Sequence, residues 1–171
     1  SDVTIPEYLR MIELKTAVLL GGALEMGALC AESSPTDADH LYEFGRLAGI
    51  AFQLQDDLLD TYGDPEKFGK QVGGDILQNK KTFLVLKCLE IASPADRQQL
   101  EQWLQTGAEQ PAEKVAAVRA IFDRNGIPTL LAVEKQRFQD GAFEHLAAVA
   151  VDEVRKTALQ EMVADLFVRD F

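Results

Sequence analysis

The chain has 171 residues, 47% of them apolar and 26% charged, with a formal net charge of −11. That length supplies one sizeable core and falls short of two ordinary domains, and the negative charge argues against a nucleic-acid binder or a protein of anionic membrane surfaces. No run of 18 apolar residues offers a membrane span and no stretch reads as a signal peptide, while Cys30 and Cys88 are too few for a disulfide scaffold and read as buried thiols.

Thr4-Ile5-Pro6-Glu7 is a capping box with proline in the first turn, and it opens a helix predicted to run to about Ala31. Leu9, Ile12, Ala17, Leu20, Leu24 and Ala28 recur in it at three- and four-residue spacing. Ser33-Ser34-Pro35 breaks it. Thr36-Asp37-Ala38-Asp39 starts a second helix, whose apolar positions lead up to an aspartate cluster at Asp56, Asp57 and Asp60. Gly45 and Gly49 weaken the intrinsic helix propensity there, so they are expected to permit close approach of a neighbouring helix or ligand.

Residues 63–81 hold Gly63, Pro65, Gly69, Gly73 and Gly74 and read as a loop with little regular structure. So long a run within a compact domain is usually either functional or disordered. Thr82 to Ile91 reads as an apolar helix. Ser93-Pro94 opens another, ending near Gly107; Pro111 opens a third, which Gly126 stops. Pro128 begins a longer helix past Ala148, and Asp152 to Arg169 closes the chain. With no strand alternation, repeat or linker, the expected class is all-α, one domain over residues 1–171.

The aspartates carry the chemistry. Asp56 and Asp60 are four apart and share a helical face, while Asp57 points roughly 100° away. A carboxylate cluster at a helix end is often a solvated face. Yet the C-terminal end of a helix carries partial negative charge and disfavours carboxylates, and such a local conflict tilts the reading from structure toward a cation site. Hard oxygen ligands suit Mg²⁺, which takes one or two carboxylates plus substrate phosphates. Lys67, Lys70, Lys80 and Lys81 follow, and lysines beside carboxylates can hold a diphosphate through magnesium. Lys15-Thr16 lies within an amphipathic helix, where a lysine can also simply reach solvent.

In combination these stretches resemble the trans-isoprenyl diphosphate synthases, the family that includes the farnesyl and geranylgeranyl diphosphate synthases. The matching segments are Tyr8 to Ala17, Gly49 to Asp60, Gly63-Asp64-Pro65, and Gly69-Lys70 through Asp75, Asn79, Lys80, Lys81 and Thr82. The resemblance implies a helical bundle around an apolar cavity and Mg²⁺-dependent condensation of an allylic diphosphate with isopentenyl diphosphate. It further implies that Asp56 binds the metal directly, with Asp57 and Asp60 holding metal-bound water or neighbouring lysines. Lys15, Lys70 and Lys80 would grip the allylic diphosphate. Thr16, Gln53 and the Lys15 carbonyl would stabilise the allylic cation, and Phe52 and Gln53 would line the isopentenyl site.

One departure matters. The family carries a first aspartate-rich motif well before its Lys-Thr helix, and this chain contains no second D-D-x-x-D. The sequence therefore reads as the C-terminal half of a synthase, and its start at Ser1 as a processed or truncated product from which a targeting segment could have been lost. Two accounts follow: an enzyme half that is inactive alone, or a non-catalytic helical subunit of a prenyl synthase. The unneutralised carboxylates and lysines favour the first. A terpene cyclase would carry Asn and Ser/Thr ligands in its second metal motif, which are not seen. The expected partners are the missing N-terminal half or a homodimer mate, and the expected location is cytoplasmic.

Overall fold

The structure, a computed structural model, describes residues 3–64, 72–107 and 109–167. All regular elements among them are helical: α1 (Ile5–Ile12), a π-helical segment (Glu13–Ala17), α2 (Val18–Cys30), α3 (Pro35–Tyr62), α4 (Gly74–Leu77), α5 (Phe83–Ile91), α6 (Pro94–Gln105), α7 (Pro111–Arg124), α8 (Ile127–Ala148) and α9 (Glu153–Phe167). The chain divides into two compact units, residues 1–8 with 56–133 and residues 9–55 with 134–170.

Local chemistry sets most boundaries. Glu7 Oε2 accepts the Thr4 amide at 2.8 Å while Thr4 Oγ1 accepts the Glu7 amide, closing the capping box. Ser34 Oγ accepts the Asp37 amide at 3.1 Å, placing the start of α3 at Pro35, one residue before the expected Thr36. Ser93 Oγ does the same for Asp96 at the head of α6. Gly126, with φ +66°, ends α7 as expected. Residues beyond Phe167, including the expected terminus at Arg169, lie outside those described.

In the unit of residues 9–55 and 134–170, Phe44, Ala48, Ala142, Leu146 and Val163 form a buried cluster flanked by Leu24, Leu41, Leu47 and Leu159. The two predicted close-approach glycines lie where α3 meets the chain before it. A Cβ on Gly45 would stand 3.0 Å from the Gly21 backbone, and one on Gly49 would stand 2.7 Å from Ala17 Cα. A helix, not a ligand, takes up that space. The first helix is interrupted as the sequence did not foretell: the Val18 amide donates to Glu13 O, five residues back, through a π-turn containing Lys15 and Thr16.

In the unit of residues 1–8 and 56–133, Leu58, Leu59, Leu84, Leu100, Val118, Ile121, Phe122 and Leu131 supply the core. The loop expected over 63–81 is corrected in part, since residues 74–77 form the short helix α4. Cys88 is buried, but Cys30 is exposed, so its reading as a buried thiol is wrong. It ends α2 on a face bearing Leu19 and Met26, which are 76% and 63% exposed; apolar sequence neighbours do not cover a thiol when no described element packs over them.

Candidate functional site

Asp56, Asp57 and Asp60 occupy the last two turns of α3 and differ sharply in environment. Asp57 is half-buried. Its Oδ2 accepts the Tyr8 hydroxyl at 2.6 Å and the Phe83 amide at 3.2 Å, so it caps α5, whose preceding residue Thr82 supplies no side-chain cap. Burial is the main force pushing its carboxyl up to about 7, opposed by the two donors and aided by Asp75 and Asp56. Tyr8 is buried, and desolvation with the Asp57 charge raises its hydroxyl far above the ordinary value, which keeps it a donor.

Asp60 plays the same part for α4. Its Oδ2 accepts the Asp75 amide at 2.8 Å while its carbonyl accepts the Gly73 amide at 2.6 Å. Gly73 sits at φ +84°, and a Cβ there would come within 2.6 Å of Val115, so two constraints select glycine. Burial raises the Asp60 carboxyl. Two of the three aspartates, disfavoured at the end of α3, thus meet the positive ends of the next two helices. This corrects the expectation that their placement argues against a structural role. The conflict survives only for Asp56, which is exposed and makes no hydrogen bond or ion pair with another described residue.

Lys80 is half-exposed and pairs with Asp75 at 2.5 Å, which raises its ammonium pKa. Asp60, Asp75 and Lys80 are therefore linked by hydrogen bonds, while Asp57 and Asp56 bear on them through charge alone. Lys67 and Lys70 lie outside the described residues. Lys15 and Thr16 belong to the other unit, on the π-segment, with Lys15 exposed. There Glu13 accepts Arg46 Nη1 at 3.0 Å and Arg10 at 2.8 Å, and Ala17 lies against Gly49, so the π-segment is tied to α3 at both ends. Phe52 and Gln53 follow Gly49 by one turn on α3 and are part-buried.

Residues 1–121 match the family model described as polyprenyl synthetase. The chain belongs to the polyprenyl synthetase family. It is 41% identical over 154 residues to the short chain isoprenyl diphosphate synthase of Methanothermobacter thermautotrophicus, covering 90% of this chain and 42% of that protein. It is 33% identical to the (2E,6E)-farnesyl diphosphate synthase of Mycobacterium bovis, over 95% of this chain and 46% of that one. Among solved structures, a geranylgeranyl pyrophosphate synthase superposes with a TM-score of 0.91 at 37% identity, covering all of this chain and 53% of its own. This polyprenyl synthetase chain spans about half the length of the curated relatives it matches.

No three His, Cys, Asp or Glu side chains among the described residues converge as a metal-holding group. Asp56, the exposed carboxylate of the three, is a hard oxygen donor of the kind Mg²⁺ takes one or two of, alongside water and phosphate. Sequence reasoning assigned no role to Tyr8, Asp75 or Lys114. The first two stand inside the matching segments, seven residues before Lys15 and five before Lys80. Lys114 carried no signal at all, because a lysine among Glu113 and alanines reads as solvated.

The raised Asp57 carboxyl has a measurable consequence. An unfolded carboxyl titrates near 4 and the folded one near 7, so between those values only the folded chain holds the proton, and stability falls as pH rises through that window. In chelator, urea unfolding should show a loss on the order of 2 kcal/mol from pH 5 to pH 8, a fraction of the full linkage because Asp57 keeps some contact with water. Asp57→Asn should flatten the profile; an equally steep slope in that variant would assign it to other groups.

Proposed function

We propose that this chain supplies the second aspartate-rich half of a trans-prenyl diphosphate synthase site, for condensation of an allylic diphosphate with isopentenyl diphosphate. The observation that carries the reading is the contrast within Asp56-Asp57-x-x-Asp60. Two carboxylates are spent on amide and hydroxyl donors, and one, Asp56, is left exposed at an unfavourable helix end. Asp56 would hold Mg²⁺, with Asp57 and Asp60 acting indirectly by fixing α5 and α4. When bound, magnesium supplies neutralisation of the charge that builds on a departing diphosphate.

The chain's own residues do the rest. Lys80 keeps ammonium donors beyond the one directed to Asp75 and would grip phosphate oxygens; Lys70 and Lys15 would share that task. A π-turn releases backbone carbonyls from the regular ladder, and the Lys15 carbonyl and Thr16 hydroxyl would turn their dipoles toward the allylic cation. Phe52 and Gln53 would line the isopentenyl pocket. The apolar α2 supports a partner as well: Leu19, Met26 and Leu29 are exposed along a helix with no charge but Glu25, and such faces are usually covered. We assign that cover to polypeptide equivalent to the remaining half of the relatives, or to a homodimer mate.

The test is a condensation assay with allylic and isopentenyl diphosphates, with magnesium and in chelator. The intact native protein should form longer prenyl diphosphate only with magnesium, and residues 1–171 alone should form none. Turnover by the isolated 171 residues would defeat the half-site reading, and light scattering that found them monomeric at micromolar concentration would defeat the partner.

A further inference from the structure

We propose that Lys114 is a positioning residue for Lys80 and Asp75, acting through Asn79; the inference rests on the diphosphate-site reading above. Lys114 lies in the first turn of α7 and is only 1% exposed. Its Nζ donates to Asn79 Oδ1 at 2.6 Å and to the Thr106 carbonyl at 2.8 Å. Among the described residues no carboxylate pairs with it, and burial lowers its pKa. A buried ammonium on neutral acceptors is an expensive way to fill space, since an apolar side chain of equal volume does so without desolvation. Such a group is best explained by what it holds.

What it holds is the turn that ends α4. Asn79 has φ +54°, a left-handed conformation that a side chain other than glycine adopts at some cost. The Asn79 amide donates to Ile76 O at 3.1 Å, and the next amide, of Lys80, donates to Asp75 O at 2.9 Å. Lys80 Nζ returns to Asp75 Oδ1, and the Asp75 amide is held by Asp60. The chain Asp60–Asp75–Lys80 is thus pinned at one end by the aspartate motif and at the other by Lys114. Removing the second pin frees the turn that aims Lys80, while leaving the aspartates in place.

The test uses the intact native protein with Lys114→Met and Asn79→Gly. The glycine variant keeps the left-handed turn and deletes only the acceptor, so it answers the question even where Lys114→Met fails to fold. Two readouts are taken: hydrogen exchange at the Lys80 amide, and calorimetric binding of inorganic diphosphate with magnesium. Both variants should lose Lys80 protection locally and weaken diphosphate binding by about 10- to 100-fold, the usual range for a lost supporting contact. KM for the allylic diphosphate should rise more than kcat falls. Undiminished protection, or lost protection with undiminished diphosphate binding, overturns the positioning role. A wild-type protein that ignores magnesium diphosphate overturns the site reading, and this proposal with it.

Discussion

Asp56→Ala should lower prenyl transfer by the intact protein by at least about 10²-fold while leaving the fold as stable as before, or slightly more so. On the proposed reading, the activity loss follows from removing the carboxylate of the motif that would bind the cation, and fixed charge-stabilising groups in active sites are typically worth that much. The stability forecast has the opposite sign. Asp56 is exposed, has no hydrogen bond or ion pair among the described residues, and adds its charge to those that raise Asp57 and Asp60. It also sits near the negative end of α3, where removing a carboxylate gains about 0.3–1 kcal/mol. Asp57→Ala and Asp60→Ala should behave differently, losing stability because each uncaps a helix, by about 1–2 kcal/mol. Urea unfolding beside the condensation assay separates the cases. If Asp56→Ala kept its activity, or lost stability as the other two do, the division of labour within the motif would be wrong.

That division was only half legible in the sequence. The spacing of Asp56, Asp57 and Asp60 shows a shared face, but nothing local reveals that Asp57 reaches Phe83 and Asp60 reaches Asp75, 26 and 15 residues on. The same long-range capping explains why the sequence of α4 reads as loop: Gly73-Gly74 suppresses the helix signal, and the group that caps its first turn comes from another helix. Boundaries governed by adjacent residues, as at Thr4–Glu7, Ser93-Pro94 and Gly126, could be read directly because their hydrogen bonds close within three or four positions. The π-turn left no mark, since Glu13-Leu14-Lys15-Thr16-Ala17 is acceptable in an ordinary helix and its register depends on what packs outside it. Burial of Lys114 and exposure of Cys30 share that cause; each is decided by which elements lie over the helix, and composition along the helix does not say.

Gly49→Ala should cost about 2 kcal/mol, and its effect should reach the Lys15–Thr16 segment. A methyl at position 49 would lie 2.7 Å from Ala17 Cα and 2.9 Å from Ala17 Cβ, atoms that cannot rotate away as the tip of a long side chain could. Overpacking of this kind costs about 1–3 kcal/mol, here near the upper end because backbone must move, and the better helix propensity of alanine returns up to about 1 kcal/mol. Melting should fall by about 4–8 °C at this chain length. Gly22→Ala provides the contrast: nothing lies within 4 Å of its Cβ position, so the propensity gain stands unopposed in the 171-residue chain and stability should rise. The displaced neighbour is what makes the substitution informative. Ala17 is the last residue of the π-segment, directly after Thr16, and a shift of about 1 Å in positioned groups can lower a rate on the order of 10²-fold. Gly49→Ala should therefore slow prenyl transfer by the intact protein well beyond its loss of folded fraction. A variant that melts early yet turns over at the wild-type rate would show that the π-segment does not need the α3 contact to hold its carbonyls in place.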